Sequence, residues 1–346
     1  TTTLLTEFLS NFGFKYKLDN GDNITTRHIL SSQDFDQIKE YASGYELIAI
    51  DEAQKIPNIG VGLKIMIDQI PGLRIIATGS SSFSLAGQIG EPLTGRKATI
   101  TLYPISQIEL KNFYNSYELK NKLSEYLIFG SYPEVAAEAK KQDKIQLLAE
   151  IVDSYLLKDI LELEKIKKSK IVLDLLRLLA FQISSEVSYT ELGGHLGIDY
   201  KTVVRYLDLL EKSFVIYNLR GFSRNLRQEI TKKSKYYFYD IGIRNAIISN
   251  FNNLELRNDI GALWENFLMM ERLKKRAYEK ISANSYFWRT YNQQEIDLVE
   301  EREGKLYGYE FKWGEKKIKE PKEWRETYKN AEFAVINQEN YLEFIS

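Results

Sequence analysis

Between residues 15 and 104, short apolar stretches alternate with polar, helix-like ones. Four of the apolar stretches predict strands: Lys15 to Leu18, Glu46 to Ile50, Arg74 to Thr78 and Ala98 to Tyr103. Leu47-Ile48-Ala49-Ile50 is apolar without interruption, the pattern of a strand covered on both faces of a parallel sheet. The segment is therefore α/β, and ligands of such sheets sit at the carboxyl ends of the strands. Ahead of it, Thr1 to Leu9 places Leu4, Leu5, Phe8 and Leu9 on one face and predicts an amphipathic helix.

From about 105 to 185 the apolar residues recur at three and four, as in Ile145 to Leu163 and Ile171 to Ile183, with one break at Gly130-Ser131-Tyr132-Pro133-Glu134. Ser188-Tyr189-Thr190-Glu191 has capping-box spacing, Gly197-Ile198-Asp199 reads as a turn, and Tyr200 to Lys212 as a second helix. That is helix-turn-helix grammar. The last ninety residues mix a helix, Ala262 to Lys275, with strands near Tyr286 to Arg289, Glu295 to Val299 and Leu306 to Trp313.

Composition narrows the class. A chain of 346 residues is longer than one compact core usually spans, which predicts two or three domains. With 44% apolar and 27% charged residues and only six prolines, the chain is globular rather than fibrous. Its 47 basic and 48 acidic residues leave a net charge of −1, so any nucleic-acid site must be a local patch. The absence of cysteine excludes disulfides, thiol nucleophiles and Cys-type zinc sites, and fits a cytoplasmic protein. His28 and His195 have no histidine or cysteine at a metal-ligand spacing and read as incidental. No apolar run is long enough to cross a membrane, and no signal peptide is expected.

Two strand ends carry the first candidate chemistry. Asp51-Glu52 after four apolar residues is what a nucleoside-triphosphate hydrolase needs: one carboxylate for the Mg²⁺ shell and one to polarise the attacking water. Alone, the pair also reads as a helix start stabilised by its dipole. The next strand ends Thr78-Gly79-Ser80-Ser81-Ser82, bringing hydroxyls alongside, either to sense a γ-phosphate or to cap a helix.

Asp51-Glu52-Ala53-Gln54, Thr78 to Ser82, Leu93-Thr94-Gly95-Arg96, Leu102 to Ser106 and Gly130 to Val135, in that order and spacing, resemble a bacterial and archaeal AAA+ ATPase family with a C-terminal domain of unknown function. The resemblance implies ATP and Mg²⁺ as cofactors, Asp51 on the magnesium shell, Glu52 as base, Ser80 as γ-phosphate sensor and Arg96 as a γ-phosphate arginine; a surface ion pair is the other reading of Arg96. In that family a G-x-x-x-x-G-K-[ST] loop runs into a helix much like Thr1-Thr2-Thr3-Leu4-Leu5. The glycines and lysine are absent from this sequence, so the loop and its strand are expected upstream, with Thr1 or Thr2 as the magnesium-binding hydroxyl. The architecture implied is of the α/β class: a P-loop AAA+ core over 1–104, a helical lid over 105–165, a winged helix-turn-helix over 166–250 and a restriction-endonuclease-like α/β domain over 251–346.

Two further sites remain open. Tyr200, Lys201, Thr202 and Arg205 lie on the polar side of the second helix, where a recognition helix carries its contacts. Arg220, Arg224, Arg227, Lys232, Lys233 and Lys235 face one acid, Glu229, in a run of local charge +5. This is a phosphate footprint for DNA or a surface for protein contacts. In the C-terminal segment, a hairpin turning at Glu303-Gly304 sets Asp297 opposite Glu310 and Glu295 opposite Lys312. Facing carboxylates need something positive between them, and a divalent cation would serve. Glu265, Asp297 and Glu310, with Lys312 orienting water, are similar to the PD-(D/E)xK nuclease pattern. The alternatives are an active Mg-dependent nuclease or a non-catalytic DNA- or protein-binding module, with DNA and a second copy of the chain as candidate partners.

Overall fold

The computed structural model describes residues 2–79, 93, 95–156, 169–222, 234–314 and 318–346. The chain divides into two units, Thr1–Leu102 with Lys212–Phe214, and Tyr103–Glu211 with Val215–Ser346.

The first unit is built on a parallel sheet of β1 (Tyr16–Asn20), β2 (Leu47–Asp51) and β3 (Arg74–Ala77), in that order. Every residue of β2 is buried, and successive side chains go to opposite faces. Ile48 and Ile50 enter one core with Leu30, Ile38, Leu63 and Met66 of the helices Ile24–Ser31, Phe35–Ala42 and Ile59–Gln69. Leu47 and Ala49 meet Leu5 and Leu9 of the helix Thr2–Ser10 on the other face. The uninterrupted apolar run thus marks the central, doubly covered strand. The strand expected over Ala98–Tyr103 does not form: residues 97–103 are irregular, with Ile100 and Leu102 exposed. Alternating apolar residues make a strand only where a neighbour pairs with them, and none does among the described residues.

In the second unit one sheet of seven strands runs β10-β9-β8-β7-β5-β6-β4. Its strands are β4 (Glu186–Val187), β5 (Ile216–Gly221), β6 (Ser234–Phe238), β7 (Asn284–Arg289), β8 (Glu295–Arg302), β9 (Lys305–Phe311) and β10 (Glu332–Ile336). β5 pairs antiparallel with β6 and parallel with β7, so the expected winged-helix and C-terminal segments share a sheet. The expected boundaries near 165 and 250 both fall inside this unit. The expected helix-turn-helix appears as Tyr189–Leu196 and Tyr200–Lys212, with Gly197 in the left-handed region between them. The long helix Ile260–Tyr278 packs on the sheet and joins it by a fully buried Arg272–Glu300 fork at 2.9 and 2.8 Å.

The Gly130-Ser131 break is held by a buried acid. Asp240 accepts hydrogen bonds from the Ser131 and Ile243 backbone N–H groups. Gly130 has φ 71°, and a Cβ there would lie 2.1 Å from an Asp240 oxygen, so only glycine fits.

Candidate functional site

In the first unit the carboxyl ends of β2 and β3 build one site. Asp51, buried at 4% exposure, closes β2, and each of its carboxylate oxygens accepts a hydroxyl. Thr2, opening the helix Thr2–Ser10, donates to Oδ2 at 2.7 Å, and Thr78, just past β3, donates to Oδ1. The Ala53 N–H donates to the Thr78 carbonyl at 2.9 Å, tying the end of β3 to the turn after β2. Glu52 sits in the left-handed region at φ 51°, where the chain leaves the strand for the short turn Ala53–Lys55. Its Oε2 accepts from Gln54 Nε2 at 2.7 Å, with Lys55 Nζ at 3.9 Å. Gly21 donates its N–H to the Asp51 carbonyl, and a Cβ there would stand 2.2 Å from the Glu52 carbonyl. That close approach draws the chain leaving β1 against the acidic pair.

Of the residues expected here, Asp51, Glu52 and Thr2 are brought together. Thr1 and Ser80 lie outside the described residues. Arg96 pairs with Asp68 of the helix Ile59–Gln69, its side chain 58% exposed, which matches the surface ion pair. Thr78 was missed as a partner of Asp51. Its signal was a hydroxyl on the residue directly after a strand adjoining the acids.

On the second helix of the helix-turn-helix, Lys201 and Arg205 are exposed as expected. Thr202 is not available to a partner: its N–H and hydroxyl both bond the Asp199 carboxylate, at 3.0 and 2.6 Å, as part of the helix cap. Arg220 is exposed on β5. Arg224, Arg227, Lys232 and Lys233 lie outside the described residues.

Lys235 requires a correction. Counted with the basic run, it is instead 3% exposed and points into the C-terminal acids. Its ammonium lies 2.5 Å from Glu295, 3.2 Å from Glu265 and 3.8 Å from Asp297. Strand alternation explains the turn inward, since Lys235 and Tyr237 share a face of β6 and both contact Glu265, Tyr237 donating its hydroxyl at 2.7 Å.

The hairpin has the expected register, Leu298 opposite Tyr309 and Arg302 opposite Lys305. Its two-residue turn, Glu303-Gly304, has both φ values positive, as a type I′ turn demands. Continued one step, the register sets Asp297 against Glu310. The charges differ from expectation, however. Glu295 pairs with Lys235 rather than Lys312, and Lys312 pairs with Glu310 at 2.8 Å. Asp297 Oδ2 accepts from the Phe311 N–H at 2.8 Å. Glu310 Oε2 is buried without a hydrogen-bond partner among the described residues.

This crowding perturbs the acids. Burial and then the Asp297 charge push the Glu265 carboxyl up to about 8, and the same two causes push Glu310 up to about 7. Burial also raises Asp297. Burial works against the Lys235 ammonium, yet Glu265, Asp297 and Glu295 outweigh it and hold its pKa above the ordinary lysine range. Among the described residues, no group of three or more His, Asp or Glu is arranged to hold a metal ion.

Three stretches match known families. Residues 2–111 match an AAA domain. Residues 120–254 match a domain of unknown function, DUF8612, and residues 260–344 another, DUF4143. An uncharacterized protein of Mycobacterium tuberculosis is 26% identical over 77% of this chain and 58% of its own length. One from Haemophilus influenzae is 29% identical over 66% of this chain and 60% of its own. One from Methanocaldococcus jannaschii is 25% identical over 72% and 57%. The chain thus spans somewhat under two thirds of the length of these relatives. A solved structure, protein VC1899 from Vibrio cholerae, covers 95% of both chains at 12% identity, with a TM-score of 0.20 that carries no argument. The AAA match covers Thr2, Asp51, Glu52 and Thr78, and points to an ATPase-like, nucleotide-binding first unit. No helix among the described residues is long and apolar enough to cross a membrane.

Proposed function

We propose that this protein binds and hydrolyses ATP at the carboxyl end of β2. The observation that carries the reading is Asp51, held between the Thr2 and Thr78 hydroxyls with Glu52 beside it. The donor set suits a nucleotide-bound magnesium ion: a carboxylate and a hydroxyl are hard oxygen ligands, and Thr2 opens a helix whose first N–H groups favour anions. Magnesium bound there would offset charge on the phosphates. Asp51 and Thr2 would hold it, directly or through its water shell. Glu52 accepts the proton of the attacking water, and Gln54 steadies that carboxylate at 2.7 Å. Thr78 keeps Asp51 oriented, while Ser80 remains the proposed phosphate contact.

The test is phosphate release by the full-length protein. Glu52→Gln should leave ATP binding intact and cut turnover by roughly 10²-fold or more. Unchanged turnover would remove the reading.

Specific observations also favour two further readings. The order helix-turn-helix, β5, β6, with β4 on the far side of β6, suits a winged helix whose basic residues between β5 and β6 contact DNA. DNA retention that weakens with salt and drops in Lys201→Ala and Arg224→Ala would support it. Asp297 facing Glu310, beside Glu265 and Lys312, supplies the residue types of a PD-(D/E)xK-type nuclease. Plasmid nicking dependent on Mg²⁺ and abolished by Asp297→Ala would support that one.

A further inference from the structure

We propose that a small polar cavity in the second unit binds a primary carboxamide, with Gln107 as the residue that recognises it. The cavity lies where the segment opening that unit, the Gly130-Ser131 turn and the chain leaving β6 meet the helix Ile260–Tyr278. Its volume is about 20 Å³ and it is partly open to solvent, which leaves room for a polar head of a few atoms whose remainder stays outside. Gln107 sets it apart. Its side chain is 1% exposed, yet neither the amide nitrogen nor the amide oxygen has a hydrogen-bond partner among the described residues. A buried amide left unmatched at both ends is costly, and a residue serving packing alone would carry no polar atoms there.

The charged groups of the wall are already matched to one another. Glu271 accepts the Gln107 backbone N–H on one oxygen and the Lys274 ammonium on the other, both at 2.7 Å. Lys274 turns its other protons to the Ile105 carbonyl at 3.3 Å and the Ser131 hydroxyl at 3.5 Å. Asp240 spends its two oxygens on the Ser131 and Ile243 N–H groups. What the wall still offers is therefore the donor and acceptor that Gln107 carries side by side. Their complement is a planar, neutral group with an acceptor beside a donor, and a primary carboxamide is such a group, pairing head to head through two N–H···O bonds. A carboxylate presents acceptors only, and would bring its charge against Glu271 and Asp240. Tyr126, Phe267 and Met270 supply the apolar part of the lining. The carboxamide belongs either to a small free amide or to an asparagine or glutamine side chain of a polypeptide. The site depends on none of the three activities proposed above.

The experiment titrates acetamide into the full chain, isotope-labelled at its glutamine side chains, and follows the Gln107 amide signals by nuclear magnetic resonance. Saturable binding of about millimolar strength is expected, with acetate and N,N-dimethylacetamide, which offer acceptors only, at least about tenfold weaker. Gln107→Met keeps the length of the side chain without its polar atoms, and should abolish acetamide binding in saturation-transfer spectra. No saturable shift, equal binding of the dimethyl compound, or undiminished binding by a folded Gln107→Met overturns the proposal. So does a water signal at the Gln107 amide that acetamide does not displace, which makes the cavity a hydration site only. Should Gln107→Met fail to fold, the comparison of acetamide with its dimethyl form on the unaltered chain decides. Capped asparagine, N-acetyl-asparagine methylamide, separates the sources: binding at least about tenfold tighter than acetamide assigns the site to a polypeptide side chain, and equal or weaker binding assigns it to a free amide.

Discussion

Glu265 shows how much one side chain draws on its surroundings. Its carboxyl titrates near 4.5 in a solvated chain and about 8 when folded, so the folded protein holds the proton more tightly. Its contribution to stability is complete below about pH 4.5 and is lost as the pH rises through about 8. Glu310, raised to about 7, works in the same direction. Urea unfolding of the full chain should therefore show falling stability between pH 5 and 8, and Glu265→Gln should flatten that slope; an unchanged slope would refute the assignment. At this scale the sequence was readable where chemistry sits at a strand end or in a turn. Asp51 and Glu52 follow an apolar run, and Glu303-Gly304 sets the register that opposes Asp297 to Glu310. Lys235 was misread because a basic run looks alike whether its last member faces solvent or core. Its side-chain direction depends on β6 pairing with β5, which no local pattern states.

Among the elements, the long helix Ile260–Tyr278 and the turn at Gly130 are the most sensitive to change. Arg272 and Glu300 are both buried, and deleting Arg272 removes the bidentate partner of Glu300, leaving it Arg302 at 3.5 Å and Arg276 at 3.9 Å. Arg272→Met should cost up to about 3 kcal/mol in chemical denaturation, and Glu300→Leu, which takes the carboxylate from Arg272, Arg276 and Arg302 together, should cost more. Gly130→Ala forces a Cβ into the Asp240 carboxylate at a positive φ, and should cost about 1–3 kcal/mol for the backbone alone. The helix over Ile171 to Ile183 was legible from its three-and-four spacing, and the helices Tyr189–Leu196 and Tyr200–Lys212 from the capping serine and the glycine turn that bound them, whereas residues 157–163 of the run Ile145 to Leu163 lie outside the described residues. The strand expected at Ala98–Tyr103 was not, because alternation reports a half-buried surface without naming the neighbour that must cover it.

For the molecule as a whole, the division near residue 102 and the continuous seven-stranded sheet make opposite demands on truncation. The piece 103–346 contains its own sheet and core, and should melt cooperatively when expressed alone, as followed by circular dichroism. The piece 103–250 should not, because it cuts β5 from β7 and removes the helix Ile260–Tyr278 from the core. A cooperative melt of the shorter piece would contradict the shared sheet. Segment boundaries near 165 and 250 were natural from the sequence, where helical and strand-like patterns change over. A sheet assembled from distant segments leaves no mark at the change.

The parallel pairing of β5 with β7 also has a temporal consequence. As the chain leaves the ribosome, the edge of β5 emerges more than sixty residues ahead of the strand that covers it. Until then it presents bare backbone donors and acceptors to any passing extended peptide, so the nascent helix-turn-helix is the stage of synthesis at which a chaperone matters most.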